Sequence, residues 1–193
     1  ASLLREDLKA LPKSIVLVDE IERSIGALDG VVSNVLQFAK EHESNLLPIN
    51  INSIISDQIT VFKKLDRKDG VGFVTALSGA SYILGNEQLL RQIFYNLFLN
   101  AAQAMHYKGT ITVSTSTIKR ETEEWLAISI KDTGPGIPNH IIDNIFEPFV
   151  TGRDEGTGLG LAIVKKILDQ HKAQIIVSNQ DGAEFIIKFP VKV

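Results

Sequence analysis

A heptad seam near the start of the chain limits most what it can fold into. Apolar residues fall at Val18, Ile21, Ile25, Leu28, Val32, Val35 and Ala39, in steps of 3, 4, 3, 4, 3, 4. That spacing keeps one stripe of an α-helix apolar over about three heptads and requires a partner along its length. Pro12 suits the first turn, where its missing N–H costs nothing. The pattern therefore predicts a helix of about 30 residues, ~45 Å long. Val31, Leu36 and Phe38 widen the stripe beyond the needs of a two-stranded coil, which favours a helical hairpin that dimerises into a four-helix bundle. The simpler alternative is a lone amphipathic helix packed on its own domain. Leu4, Leu8 and Leu11 read as the tail of a preceding helix.

The seam does not continue, and from about Leu47 the periodicity is mixed. Asn52 or Ser53 is the expected cap of a helix reaching about Leu65, followed by strands at Val71–Leu77 and near residues 82–84. Residues 86–106 read as a long apolar-rich helix. Residues 111–117 and 126–131 alternate like antiparallel strands around a charged turn at 119–124. Residues 175–178 and 184–189 form a second hairpin, turned at 179–182. Between the pairs lies a glycine- and proline-rich segment, 133–160, with a short helix at 141–145 capped by Asn139. The rest reads as a mobile loop of the kind that often serves as a lid. The expected class is α+β: a two-layer α/β sandwich, one mixed sheet covered by helices on one face, preceded by the long helix. Residues 1–46 form the partial hairpin and 47–193 the sandwich.

Composition removes several function classes. A net charge of −3 with both signs mixed argues against nucleic acid as a partner. Zero cysteines exclude disulfides and thiolate metal sites and suit the cytoplasm. No stretch approaches the ~20 apolar residues needed to cross a bilayer. The chain begins without methionine, so a longer parent is expected, and any membrane anchor would belong to that parent.

Four segments carry chemistry. Gly156-Thr-Gly-Leu-Gly160 runs into a helical pattern at Leu161, Val164, Lys165 and Leu168; glycine turns that open helices present bare N–H groups to anions. No Walker lysine follows, and no third glycine completes a dinucleotide fingerprint. Asn96, Asn100 and Gln103 share one helical face; they either bond to neighbouring loops or line a pocket, with an amide oxygen for a hard cation such as Mg²⁺. Asp132-Thr-Gly134-Pro-Gly136-Ile137 ends a strand. It is either a tight turn or a carboxylate placed to accept from an exocyclic amino group, with a flat ring against the glycines. In Phe146-Glu-Pro-Phe149-Val-Thr-Gly-Arg153, the phenylalanines can clip a lid to the core and Arg153 can reach a phosphate.

Taken in this order, residues 48–193 resemble the nucleotide-binding domain of sensor histidine kinases, within the superfamily of gyrase B, Hsp90 and MutL. Asn96 to Met105 resembles the N box, Asp132 to Gly136 the G1 box, Phe146 to Phe149 the F box and Gly156 to Gly160 the G2 box. The resemblance implies ATP and Mg²⁺ as cofactors, with Asn100 holding the metal and Asp132 the adenine amino group. Gln103, Ala104, Gly134, Gly136 and Ile137 would line the nucleotide pocket. Thr151, Gly152, Arg153, Gly156, Thr157, Gly158, Leu159, Gly160 and Leu161 would surround the phosphates. Arg153 stands where many relatives carry lysine, keeping charge but changing geometry. ATPase relatives place a water-activating glutamate four residues before the metal-binding asparagine. Here that residue is Asn96, so Asn96, Asn100 and Arg153 form a set suited to phosphoryl transfer rather than hydrolysis.

The family's reaction phosphorylates a histidine for relay to a response-regulator aspartate, in a homodimer built on the hairpin. None of the four histidines (His42, His106, His140, His171) precedes the Glu-x-x-Asn/Thr-Pro pattern of the family's acceptor helix. By the resemblance, residues 14–43 are the second hairpin helix and 3–10 the stump of the first, with the acceptor upstream of Ala1. The chain is expected to bind ATP without phosphorylating itself. His106, His140 and His171 are expected at the surface or at caps. Lys172-Ala173 replaces frequent glycines, Ala104-Met105 replaces a tyrosine, and Asn-Ala-Ala-Gln-Ala-Met resembles kinases of the nitrogen-regulation type.

Overall fold

The computed structural model describes Val18, Ile21, Ile25 and residues 46–65, 70–79, 82–120, 123–153 and 156–191. Contacts divide the chain into two units, Ala1–Lys40 and Glu41–Val193. In the first, Val18, Ile21 and Ile25 are helical and occupy successive seam positions, with Ile21 and Ile25 exposed. The remainder of the predicted hairpin, and His42, lie outside the described residues.

The second unit is built from β1 (Leu47–Asn50), α1 (Ile51–Leu65), β2 (Val71–Leu77), β3 (Tyr82–Gly85), α2 (Glu87–Ala104), β4 (Gly109–Arg120), β5 (Glu123–Asp132), α3 (Gly160–Gln170), β6 (Gln174–Asn179) and β7 (Ala183–Pro190). A five-stranded sheet has the order β2-β4-β5-β7-β6, and β1 pairs with β3 in a separate two-stranded sheet. The β2–β4 pair is parallel and the rest antiparallel, so the sheet is mixed as expected. Helix α2 packs between α1 and α3 and touches β4 and β5.

Period-two alternation decides which side chains enter the layer between sheet and helices. Ile111 and Val113 of β4, Leu126, Ile128 and Ile130 of β5, and Phe185, Ile187 and Phe189 of β7 are buried there. On α2, Leu89, Leu90, Ile93, Phe94, Leu97, Phe98, Ala101 and Ala102 form a buried stripe two residues wide. Each fully buried Leu, Ile or Phe contributes about 1.5–3 kcal/mol, so this stripe anchors the helix against the sheet. Phe98 also meets Phe73 at a centroid distance of 5.2 Å and Phe62 at 6.2 Å, tying β2 and α1 to α2.

Several local expectations are corrected. The cap of α1 is Asn50, whose Oδ1 accepts from the Ser53 N–H at 3.1 Å. Asn52 instead uses its Oδ1 to accept from the buried Thr115 hydroxyl at 3.0 Å, a tertiary partner that helix-start rules do not see. Strand β1 was not expected; its ladder lies with β3, more than thirty residues on. The charged stretch 119–124 is mostly strand, with Lys119 in register with Glu124, because opposite charges across a ladder support pairing. Among the described residues of the loop after β5, only a three-residue 3₁₀ turn forms, Ile142–Asn144, and it has no side-chain cap, so Asn139 does not cap it.

Candidate active site

Asp132 is the last inward-facing residue of β5, continuing the series Leu126, Ile128, Ile130. The alternation that buries those side chains carries this carboxylate into the interior, where it is 3 % exposed. Its Oδ1 accepts the Gly134 N–H at 2.8 Å and the Ala183 N–H at 3.3 Å. Charge-assisted bonds to two backbone donors fix the group without any ligand.

The G1 loop is held at its far end by a residue that the sequence offered only as part of a turn. Asn179, ending β6, accepts from the Ile137 N–H at 2.8 Å and donates to the Ile137 carbonyl at 2.5 Å. Gly136 adopts φ +79, and a Cβ there would stand 2.8 Å from Asn179 Oδ1. The loop can approach Asn179 only because it carries no side chain at that point. Beneath Gly134, Met105 is buried, and its sulfur receives the Thr133 hydroxyl at 3.3 Å. Met105 thus fills the floor under the G1 loop.

On α2, Asn96, Asn100 and Gln103 stand off the apolar stripe, each half-buried. A Cβ built on Gly160, the first residue of α3, would lie 3.8 Å from Asn100 Nδ2 and 3.9 Å from Asn96 Oδ1. The amide pair therefore lies directly under the N-terminus of α3. Asn96 Nδ2 is buried without a hydrogen-bond partner, a donor left open at this place. Arg153 completes the group: Nη2 donates to Asn100 Oδ1 at 2.9 Å and Nη1 to Gln103 Oε1 at 2.6 Å. Desolvation lowers the Arg153 pKa from its ordinary value, but a guanidinium stays charged at any physiological pH.

The segment between F and G2 boxes is closed by backbone. The Phe149 N–H donates to the Gly158 carbonyl at 3.0 Å and the Gly156 N–H to the Arg153 carbonyl at 3.2 Å. Thr151 Oγ1 accepts from the Arg153 N–H at 3.1 Å. Gly158 has φ +65, and a Cβ there would overlap the Phe149 backbone, so glycine is required for this crossing. The expected phenylalanine clip is corrected. Phe149 is 71 % exposed at φ +68 and Phe146 is only half-buried, whereas Ile145 and Leu159 are buried and anchor the two ends. Aromatic content pointed to the phenylalanines, but the backbone turn at 149 directs its ring outward.

His106 and His140 are exposed. His171 is buried rather than at the surface: Nδ1 lies 2.7 Å from the Ile167 carbonyl, and Nε2 accepts the Asn86 N–H at 3.1 Å. Both ring nitrogens are thus engaged in the neutral form, and desolvation lowers its pKa, opposed by the Ile167 bond. Lys172 adopts φ +55, which explains why a glycine would suit that position.

A cleft of about 680 Å³ is lined by Thr133, Gly134, Gly136, Asn139, Asn179 and Asp181, among others. It shares the G1 glycines with the expected pocket but includes neither Asp132 nor Asn100. The buried carboxylate and the open amide donor are better guides to chemistry than this open groove between two turns.

Residues 85–193 match the family of histidine kinase-, DNA gyrase B- and HSP90-like ATPases. The chain belongs to this family. Among curated proteins, the sensory histidine kinase/phosphatase NtrB of Rhodobacter capsulatus is 34% identical, over 91% of this chain and 51% of its own length. The chain spans about half or less of the length of the curated relatives it matches. Among solved structures, full-length ShkA in complex with AMPPNP is similar at a TM-score of 0.77 and 28% identity, covering 98% of this chain and 42% of that one. Histidine kinase ThkA in complex with the response regulator protein TrrA matches at a TM-score of 0.73 and 26% identity, covering 95% and 52%. The mixed sheet under its helices is the fold of a histidine-kinase-type ATP-binding domain. Among the described residues, no helix is long and apolar enough to cross a membrane, and no group of three His, Cys, Asp or Glu is poised for a metal.

Proposed function

We propose that this chain is the ATP-binding catalytic part of a sensor histidine kinase and transfers the γ-phosphate of ATP to a histidine. The observation that carries the reading is the convergence of Arg153 with Asn96 and Asn100 under the N-terminus of α3, the two asparagines standing on the helix that also packs against β5, the strand that ends in Asp132. Asp132 accepts the adenine amino group, with Gly134, Gly136 and Ile137 along the ring and Gln103 and Ala104 lining the pocket. The loop Thr151–Gly152–Arg153 and the backbone from Gly156 to Leu161 surround the phosphates, and Arg153 pairs with the γ-phosphate.

The donor set fits Mg²⁺: Asn100 offers a neutral amide oxygen and, among the described residues, no carboxylate cage surrounds it, which leaves the other ligands to phosphate oxygens and water, as this ion prefers. When bound, the ion neutralises charge developing on the transferred group. In the transfer, the histidine nitrogen forms a P–N bond as the P–O bond to the leaving ADP breaks. Asn96 cannot accept a proton from water, so this side of the site favours an external acceptor over hydrolysis. His171 is buried with both nitrogens engaged, and neither His106 nor His140 follows the acceptor pattern. The acceptor is therefore assigned to a helical hairpin outside residues 47–193. The helical, exposed Ile21 and Ile25 at seam positions support homodimerisation through such a hairpin. The solved complex of the relative ThkA with TrrA supports a receiver domain as the onward partner, and ATP and the lack of cysteine support a cytoplasmic site of action.

The test is incubation with γ-labelled ATP, Mg²⁺ and separately purified acceptor hairpins of NtrB-like kinases. Acid-labile label on the hairpin histidine is the expected result. Tight ATP binding without phosphohistidine overturns the kinase reading in favour of a nucleotide-binding scaffold. Steady phosphate release overturns the argument from Asn96 and favours an ATPase.

A further inference from the structure

Arg153 occupies the amide oxygen proposed above for the metal. Its Nη2 is 2.9 Å from Asn100 Oδ1, and its Nη1 is 2.6 Å from Gln103 Oε1. Positions 100 and 103 lie one helical turn apart, so the two amide oxygens present a fork that matches the planar guanidinium. We propose that Arg153 is a placeholder for the divalent cation: it holds this oxygen pair in the nucleotide-free protein and gives it up when the metal–nucleotide complex enters. This rests on the ATP site proposed above.

Mutual exclusion follows from size and charge. A metal ion bonded to Asn100 Oδ1 sits about 2.1 Å from it. A guanidinium nitrogen within hydrogen-bond distance of the same oxygen would then be pressed against a second cation. The exchange conserves favourable contacts, because the released guanidinium meets the γ-phosphate. Thr151 Oγ1 bonds the Arg153 N–H and also donates to its carbonyl at 3.2 Å, so the backbone is anchored while the side chain swings. The same residue thus keeps the open amide site covered before binding and neutralises phosphate charge after it. Nucleoside diphosphate separates the two roles, since it brings the metal but no γ-phosphate.

The experiment is calorimetric titration of ADP and ATP, with Mg²⁺ and with EDTA, into the chain and its Arg153→Ala and Arg153→Lys variants. Removing a competing state raises apparent affinity by the reciprocal of the fraction of molecules it had left free. Mg²⁺–ADP should bind Arg153→Ala about three- to tenfold more tightly than the parent, ADP in EDTA should change by less than about twofold, and Mg²⁺–ATP should bind more weakly. Arg153→Lys should keep the gain for Mg²⁺–ADP with a smaller loss for ATP, because lysine retains charge without the fork. Unchanged Mg²⁺–ADP affinity overturns the placeholder and leaves only a phosphate ligand. Weakening for ADP in both buffers overturns it in favour of a purely structural role. Absence of any adenine-nucleotide binding by the parent chain overturns the ATP site itself, and the placeholder with it.

Discussion

Substituting Asp132→Asn separates ligand recognition from folding. Two backbone donors, Gly134 at 2.8 Å and Ala183 at 3.3 Å, converge on Oδ1. The asparagine must therefore place its carbonyl oxygen there, and its NH₂ replaces the second carboxylate oxygen. Both backbone amides keep their acceptor, so the urea unfolding midpoint should not move. In the proposed pose, the adenine amino group then meets a donor instead of an acceptor. A hydrogen bond to a charged group is worth about 1.5–3 kcal/mol. At 1.36 kcal/mol per factor of ten, ATP should bind about 13- to 160-fold more weakly. Calorimetry supplies the affinity. Inosine triphosphate is the control, because its ring carbonyl can accept from the new NH₂ and should lose far less than ATP or gain. A variant that stays folded and binds ATP within about threefold of the parent would refute the assignment, since that is less than half of the smallest expected energy.

The remaining expectations concern the lid and the buried histidine. Gly158→Ala should cost about 1–3 kcal/mol of local strain from φ +65, beyond its overlap with Phe149, and weaken ATP binding by about fivefold or more with little change in the urea midpoint. A loss of global stability instead would show that the crossing supports the core rather than the lid. His171 has a lowered pKa in the folded state, so the unfolded chain binds more protons between that value and about 6.5. Stability should therefore be full above about pH 6.5 and fall as pH drops toward the folded pKa; His171→Gln, which keeps an acceptor for the Asn86 N–H, should flatten that decline in chemical denaturation.

The order of helices and strands was legible because the relevant signals are local. Alternation at 126–131 and 184–189, and the wide apolar stripe of α2, are properties of adjacent residues. The chemistry-bearing positions were legible for a different reason. Their residue types, amides on an apolar helix or a carboxylate at a strand end, make little sense for packing alone. What could not be read is tertiary. Asn52 answers to Thr115 across 63 positions and Asn179 to Ile137 across 42. No local pattern announces such pairs, so Asn52 passed for a cap and Asn179 for a turn residue. His171 is the cap that its position after a helix suggests, ending α3, but its burial is set by Phe189 and the Asn86 N–H, from elements distant in sequence.

These tertiary bonds give the two halves of the site different mechanical character. The Asp132 half is enclosed by a strand register, two backbone amides and the two-point grip of Asn179, with the carboxylate itself buried. Moving it would break sheet hydrogen bonds and expose apolar side chains together. The Arg153 half rests on exposed side-chain bonds and a few backbone contacts around Gly156 and Gly158, each worth about 1 kcal/mol and open to exchange with water. Helix α2 joins the halves, since its C-terminal end carries both the amides that meet Arg153 and Met105 beneath the G1 loop. In the proposed reaction, base recognition therefore requires little reorganisation, whereas phosphate and metal binding must displace contacts already made. Affinity would come chiefly from the rigid half, and the timing of closure from the other.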